Sequence, residues 1–204
     1  MINKIMNKIK RFFLKRKKEK EYKKYINEHK KNIIKAFYEM VNCKELEYLM
    51  QDPKILKPLW FRILEHDDSK FDKDEFDAYR KHFNPIDEQE KKENEENFDK
   101  AVKHHIEIND HHWQHRVNWK NEDFNINTQL ACLENIADWL AVGYRFHNRP
   151  YEYYNKHKDK INLPEKQKNF MEKCIYEGID KRYIKEGEDK NGISKEKERK
   201  ENHS

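Results

Sequence analysis

At 204 residues the chain has room for one domain with ragged ends, and it is only 35% hydrophobic but 41% charged, near the lower limit for a packed core. The missing volume is aromatic (11 Phe, 11 Tyr, 4 Trp), while 4 Gly and 5 Pro exclude collagen-like repeats, a turn-rich all-β fold and a Gly-rich nucleotide loop. Residues 1–24 hold eleven Lys/Arg against two acids, a net +9, so the whole-chain +5 leaves −4 for the remainder, and no specific nucleic-acid binding is expected.

The first predicted element is a basic leader, residues 1–21. Ile2, Ile5, Ile9 and Phe12 recur at helical spacing among lysines, a pattern suited to an anionic membrane surface or a partner helix. It has no continuous apolar core of the signal-peptide kind, and no apolar run approaches the ~20 residues of a membrane span. Residues 22–184 read as one domain. Ile26, His29, Ile33, Phe37 and Met40 share one face of a first core helix. Pro53 and Pro58 bracket a break, and a short helix from Leu59 ends near His66. Asp72 with Glu75 has capping-box spacing for a third helix, stopped by Asn84-Pro85. Residues 87–100 read as an exposed helix leading into a stripe of Phe98, Ala101, Val102 and His105. Thr128 opens the most apolar helix, and a last one carries Phe170, Met171, Cys174 and Ile175. The expectation is an all-α bundle of five to seven helices. Residues 185–204 are charged and polar and are expected to be disordered. Cys43, Cys132 and Cys174 are odd in number and far apart, so neither a disulfide framework nor a zinc knuckle is expected, and the reading is cytoplasmic.

The chemistry concentrates in histidines. His66 stands in EHDDSKF, and five histidines lie in HHIEINDHHWQH. His29 and His105 fall on the apolar faces of their helices, whereas His104 lies about 100° away from His105. His112 continues the His105 stripe if the helix runs straight; His111 replaces it if the chain turns at Asn109-Asp110. Asp138 sits inside LENIADWLAV, where an unpaired carboxylate would cost several kcal/mol. Glu134, one turn earlier, repels it, so a cation is wanted there. Imidazole nitrogen and carboxylate oxygen form the donor set for Mn, Fe, Co, Ni or Zn.

In this order the residues resemble the HD-domain superfamily of metal-dependent phosphohydrolases, whose signature is an early His, an adjacent His-Asp pair and a late Asp on helices of an all-α bundle. The resemblance implies an HD-like bundle holding one or two divalent transition-metal ions. Its ligands would be His29, His66, Asp67 and Asp138, joined in two-metal members by middle histidines, here His105, His111 and His112. HDDSK is similar to the superfamily's His-Asp, two residues, Lys extension, which makes Asp67 and Lys70 the expected catalytic residues. Asp68, Asn109 and Glu134 are candidates to stand behind the ligands. Arg80 and Lys81 are candidates for a substrate phosphate or for a solvated face. More narrowly, HDDSKF, HHIEINDHHW and ADWLAVG are similar to a bacterial and phage family of unknown function. The implied activity is hydrolysis of a nucleotide or related phosphate ester by a metal-activated water. The GYP motif of cyclic-di-nucleotide phosphodiesterases is absent. A di-iron HD-type oxygenase and a non-catalytic, metal-stabilised binding module stay open as alternatives.

Overall fold

The first element of the chain is one long helix, α1, Ile2–Val41. At 1.5 Å per residue it spans about 60 Å, and it changes character along its length. Residues 4–17 are exposed, whereas Tyr22, Ile26, Ile33, Phe37 and Met40 are buried. The leader and the first core helix are therefore a single rod. The structure is a computed structural model that describes residues 2–115 and 124–184; the tail expected to be disordered, 185–204, lies outside the described residues.

The remaining elements are α2 (Glu47–Met50), α3 (Pro53–Glu65), α4 (Lys73–Phe83), α5 (Glu88–Lys92), α6 (Glu95–Ile108), α7 (Ile126–Phe146), α8 (Pro150–His157) and α9 (Glu165–Glu172), which continues into a π-helical segment Lys173–Ile179. Short 3-10 turns occupy Lys44–Leu46 and Asp68–Phe71. No strand occurs among the described residues, so the fold is all-α. It has more helices than the expected five to seven, because the short α2, α5 and α8 carry too few turns to show a clear period. No helix among the described residues is long and apolar enough to cross a membrane.

Helix boundaries depart from expectation where a local residue finds a different partner. Pro53 starts α3 rather than preceding a break: it is at the first position, where its missing N–H costs nothing, and the Asp52 carboxylate caps Lys54 N at 2.8 Å. The helix then runs through Pro58, since the residue whose carbonyl loses its partner, Lys54, is exposed to water. Asn125 rather than Thr128 opens α7, accepting from the N–H groups of Asn127 and Thr128. At the far end Gly143 is required, because a Cβ there would run into the Asn148 carbonyl. The stretch 87–100 is less exposed than expected: Asp87 caps Glu90 N, while Glu90 and Asn94 are buried.

Two apolar clusters form. The larger packs Ile33, Phe37 and Met40 of α1 against Ile55, Leu59 and Ile63 of α3 and Leu133, Ile136 and Leu140 of α7; each such side chain contributes roughly 1.5–3 kcal/mol by leaving water. The smaller joins Tyr22 and Ile26 to Ala78 and Tyr79 of α4 and Ala101 of α6. His29 stands on α1 between the two. The seam between the clusters is where the buried histidines meet.

Candidate metal centre

The corner after α3 sets the geometry. His66 caps the helix, and Asp67 takes a left-handed backbone conformation (φ 59°, ψ 18°), a region that few non-glycine residues adopt and that Asp tolerates better than most. The turn sends His66 and Asp67 inward together and leaves Asp68 outside, where it pairs with Lys30. The following 3-10 turn brings Lys70 Nζ to 2.5 Å from Asp67 Oδ2.

Each oxygen of Asp67 faces a different group of donors. On one side, Oδ2 is 3.6 Å from both His29 Nε2 and His66 Nε2. Asp138 Oδ1, on α7, is 3.1 Å from His29 Nε2 and 3.6 Å from His66 Nε2, and the two Nε2 atoms are 3.2 Å apart. On the other side, Oδ1 is 3.1 Å from His105 Nε2 and 3.7 Å from His111 Nε2. His112 completes this second group, in which one donor atom from each residue lies within 4.8 Å of every other. Asn109 and Asp110 end α6 in a turn, and this lets both His111 and His112 join His105. The two alternatives posed by the sequence are thus not exclusive.

The second group has unmet bonding capacity. Asp67 Oδ1 and the Nε2 atoms of His105, His111 and His112 are all buried, and none makes an aligned hydrogen bond among the described residues. Orphaned buried polar atoms are rare and costly. Four converging on one point, all of them lone-pair donors, suit a cation. Both groups can therefore hold a metal ion.

Carboxylates behind the rings fix which nitrogen faces inward. His66 Nδ1–H donates to Glu134 Oε1 at 2.9 Å, His111 Nδ1 lies 3.2 Å from the same oxygen, and Arg62 Nε–H donates to Glu134 Oε2 at 2.7 Å. His105 Nδ1 is 2.8 Å from Glu75 Oε2, and His104 Nδ1 is 3.0 Å from Glu75 Oε1. An ionised carboxylate only accepts, so Nδ1 of His66, His105 and His111 carries a proton and Nε2 is the atom each ring turns to the centre, where a cation would take the place of any second proton. Burial opposes charge throughout, and at His66, Asp67 and Asp138 the network overrides it. His66 is raised to about 10 by Asp67, Asp138 and Glu134 around it. Asp67 is held well below the usual carboxylate range by Lys70, His66 and His105, and Asp138 by His29 and His66. His112 is pushed well below its ordinary value by burial and by His111 and His105.

The structure brings His29, His66, Asp67, Lys70, His105, His111, His112 and Asp138 together. Asn109 Nδ2 bonds Ser69 Oγ and the His105 carbonyl at 3.0 and 2.9 Å, steadying that helix end. Arg80 is elsewhere: its guanidinium is fully buried and held by Glu90 at 2.8 Å and by Asp77 at 3.2 Å. It is neither solvated nor available to a phosphate, and that expectation is withdrawn. Lys81 pairs with Asp77 at 2.8 Å on the same helix. Sequence reasoning missed Glu75 and Arg62. Glu75 matched a capping box with Asp72, but no side-chain cap bond forms and the carboxylate turns to the histidines instead. Arg62 lies one turn before His66 on α3, a spacing that was the available signal. Glu134 repels Asp138 less than it is compensated, since His66, His111 and Arg62 surround it.

Beside His29 a groove of about 430 Å³ runs between α1 and the end of α7, lined by Tyr25, Glu28, Asn32, Val142, Arg145 and Phe146 among others. The Arg145 guanidinium lies 4.8 Å over the Tyr25 ring.

No curated protein and no solved structure matches the chain. Over residues 18–177, well over half the chain, the sequence matches the family model described as a family of unknown function (DUF5662), and the chain therefore belongs to that family.

Proposed function

We propose that this protein is a metal-dependent phosphohydrolase of HD type, acting on a nucleotide or related phosphate ester. The single observation that carries the reading is Asp67: one carboxylate whose two oxygens face two separate donor groups, the second of them with unmet bonding capacity. Its resemblance to the HD signature is the second support. His29, His66, Asp67 and Asp138 would hold one divalent cation, and Asp67, His105, His111 and His112 a second. The nitrogen and oxygen donors fit Mn, Fe, Co, Ni or Zn. When bound, such ions supply a water of lowered pKa and positive charge for phosphoryl oxygens.

The chain's own residues have the remaining roles. Lys70, against Asp67, keeps that carboxylate ionised and adds a cation beside the centre. Glu134 and Glu75 orient three imidazoles. The groove that ends at His29 takes the organic part of the substrate, with Arg145 as a cation for an anionic group and Tyr25 and Phe146 as ring surfaces.

The test is metal analysis of the purified chain, followed by a screen of nucleotides and phosphate esters. Bound Mn, Co, Ni, Zn or Fe with phosphate release that is lost in Asp67→Ala is the expected result. Coloured iron protein that consumes O₂ and releases no phosphate overturns the reading in favour of an oxygenase. Metal-dependent melting with no turnover on any ester overturns it in favour of a binding module.

A further inference from the structure

The proposed centre makes no use of the first half of α1, which stands clear of both apolar clusters. At about 100° per residue, Ile5, Met6, Ile9, Phe12 and Phe13 fall within an arc of about 120°, and each is between 47% and 64% exposed. Lys4, Lys8, Arg11, Lys15 and Lys18 occupy the other side of the helix, with Lys10 and Lys17 on the remaining flank. The domain touches the basic side: Arg11 Nη1 donates to Asp87 Oδ2 at 2.8 Å, and Lys8, Arg11 and Lys15, with Phe12 at the edge of the arc, border a hollow shared with Ile86 and Glu90. Ile5, Met6, Ile9 and Phe13 border no part of that hollow, and Phe12 keeps 56% of its surface exposed.

From this arrangement we infer that the segment 4–20 lies in the surface of an anionic lipid bilayer. Ile5, Met6, Ile9, Phe12 and Phe13 would enter the acyl boundary while the flanking lysines reach the headgroups. Charge decides between occupants. A second copy of the same helix would bring together two segments that each carry a strong positive excess, whereas an anionic bilayer is complementary to it. A partner helix would need the stripe to continue, yet Arg16 and Lys20 occupy its next turn, which ends the apolar face after about 12 Å. The inference is independent of what the histidine centre does.

Sedimentation of the full chain with vesicles of phosphatidylcholine, with and without phosphatidylserine, tests it. Binding to the serine-containing vesicles should be at least about tenfold stronger and should fall with added salt. Combined Phe12→Ser and Phe13→Ser should weaken it by at least about tenfold with an unchanged melting curve, because neither ring is in a core. Ile9→Trp emission should be quenched by brominated lipid, whereas that of Asn7→Trp, on the polar side, should not. Absence of sedimentation, equal binding to both vesicles, or equal quenching at the two positions overturns the proposal. So does concentration-dependent self-association that the serine substitutions abolish in the absence of lipid.

Discussion

Among the described residues two aspartates, Asp67 and Asp180, are almost completely buried, and they are buried for different reasons. Asp180 Oδ1 accepts from Arg149 Nε–H at 2.7 Å and Oδ2 from Tyr151 N–H at 2.8 Å. Arg149 in turn reaches Glu39 at 2.9 Å and the Ile179 carbonyl at 3.1 Å. That network closes on protein atoms and ties the last helical segment to α1 and α8. Asp67 has Lys70 on one oxygen and no aligned hydrogen bond on the other among the described residues. Burial alone does not mark a functional carboxylate, since both are buried. What separates them is bonding capacity that the protein itself does not fill.

The largest expected effect tests this difference directly. Asp67→Ala should remove bound metal and turnover while the bundle still folds, and Asp68→Ala should keep both. Asp180→Ala should instead cost about 1.5–3 kcal/mol of stability, because it removes the charged hydrogen bonds to Arg149 and Tyr151 while Glu39 still holds the guanidinium, and leave metal content per folded chain unchanged. Elemental analysis alongside denaturant unfolding reads both outcomes. Metal loss in Asp180→Ala with retention in Asp67→Ala would invert the comparison.

A second effect concerns stability. Restoring metal to chelator-treated protein at about a hundred times its dissociation constant should add about 2.7 kcal/mol. The same increment should appear in Asp180→Ala, because distant sites without shared partners add. A smaller increment there would show that the two networks are coupled. Glu134→Gln should weaken metal affinity about 10–100-fold while leaving every proposed ligand in place, as should Glu75→Gln. Titration with a competing chelator measures both variants, and unchanged affinity would make these carboxylates structural like Asp180.

Periodicity made much of the fold legible. His29 between Ile26 and Ile33, and His105 beside Ala101, had to face inward once their helices were recognised, and adjacency alone joined His66 to Asp67. What periodicity cannot supply is the partner of a side chain across the bundle. Glu75 satisfied a local capping rule and was claimed instead by two histidines of α6. Glu134 looked unfavourable beside Asp138 because the i, i+4 relation is visible in sequence, whereas His66, His111 and Arg62 arrive from other elements. Arg80 looked like surface because it stands among charges, yet Glu90, ten residues later, buries it. The left-handed corner at Asp67, which decides between Asp67 and Asp68, has no mark in composition beyond the tolerance of Asp for that conformation.

The smallest effects separate the middle histidines, where one helix end carries both kinds of residue. His105 and His111 are backed by Glu75 and Glu134 and aim an unbonded Nε2 at Asp67 Oδ1. His112 is half-buried with its Nε2 enclosed and unbonded, and among the described residues no carboxylate backs it as Glu75 and Glu134 back the others, so its ring is held less firmly. His104 keeps 40% of its side chain exposed and spends its Nδ1 on Glu75. Metal occupancy should therefore fall most in His105→Ala and His111→Ala, less in His112→Ala, and not measurably in His104→Ala. Occupancy measured on the four variants at one subsaturating metal concentration orders them. Equal occupancy in all four would reduce the centre to His29, His66, Asp67 and Asp138, and the open valences around Asp67 Oδ1 would then need a different occupant.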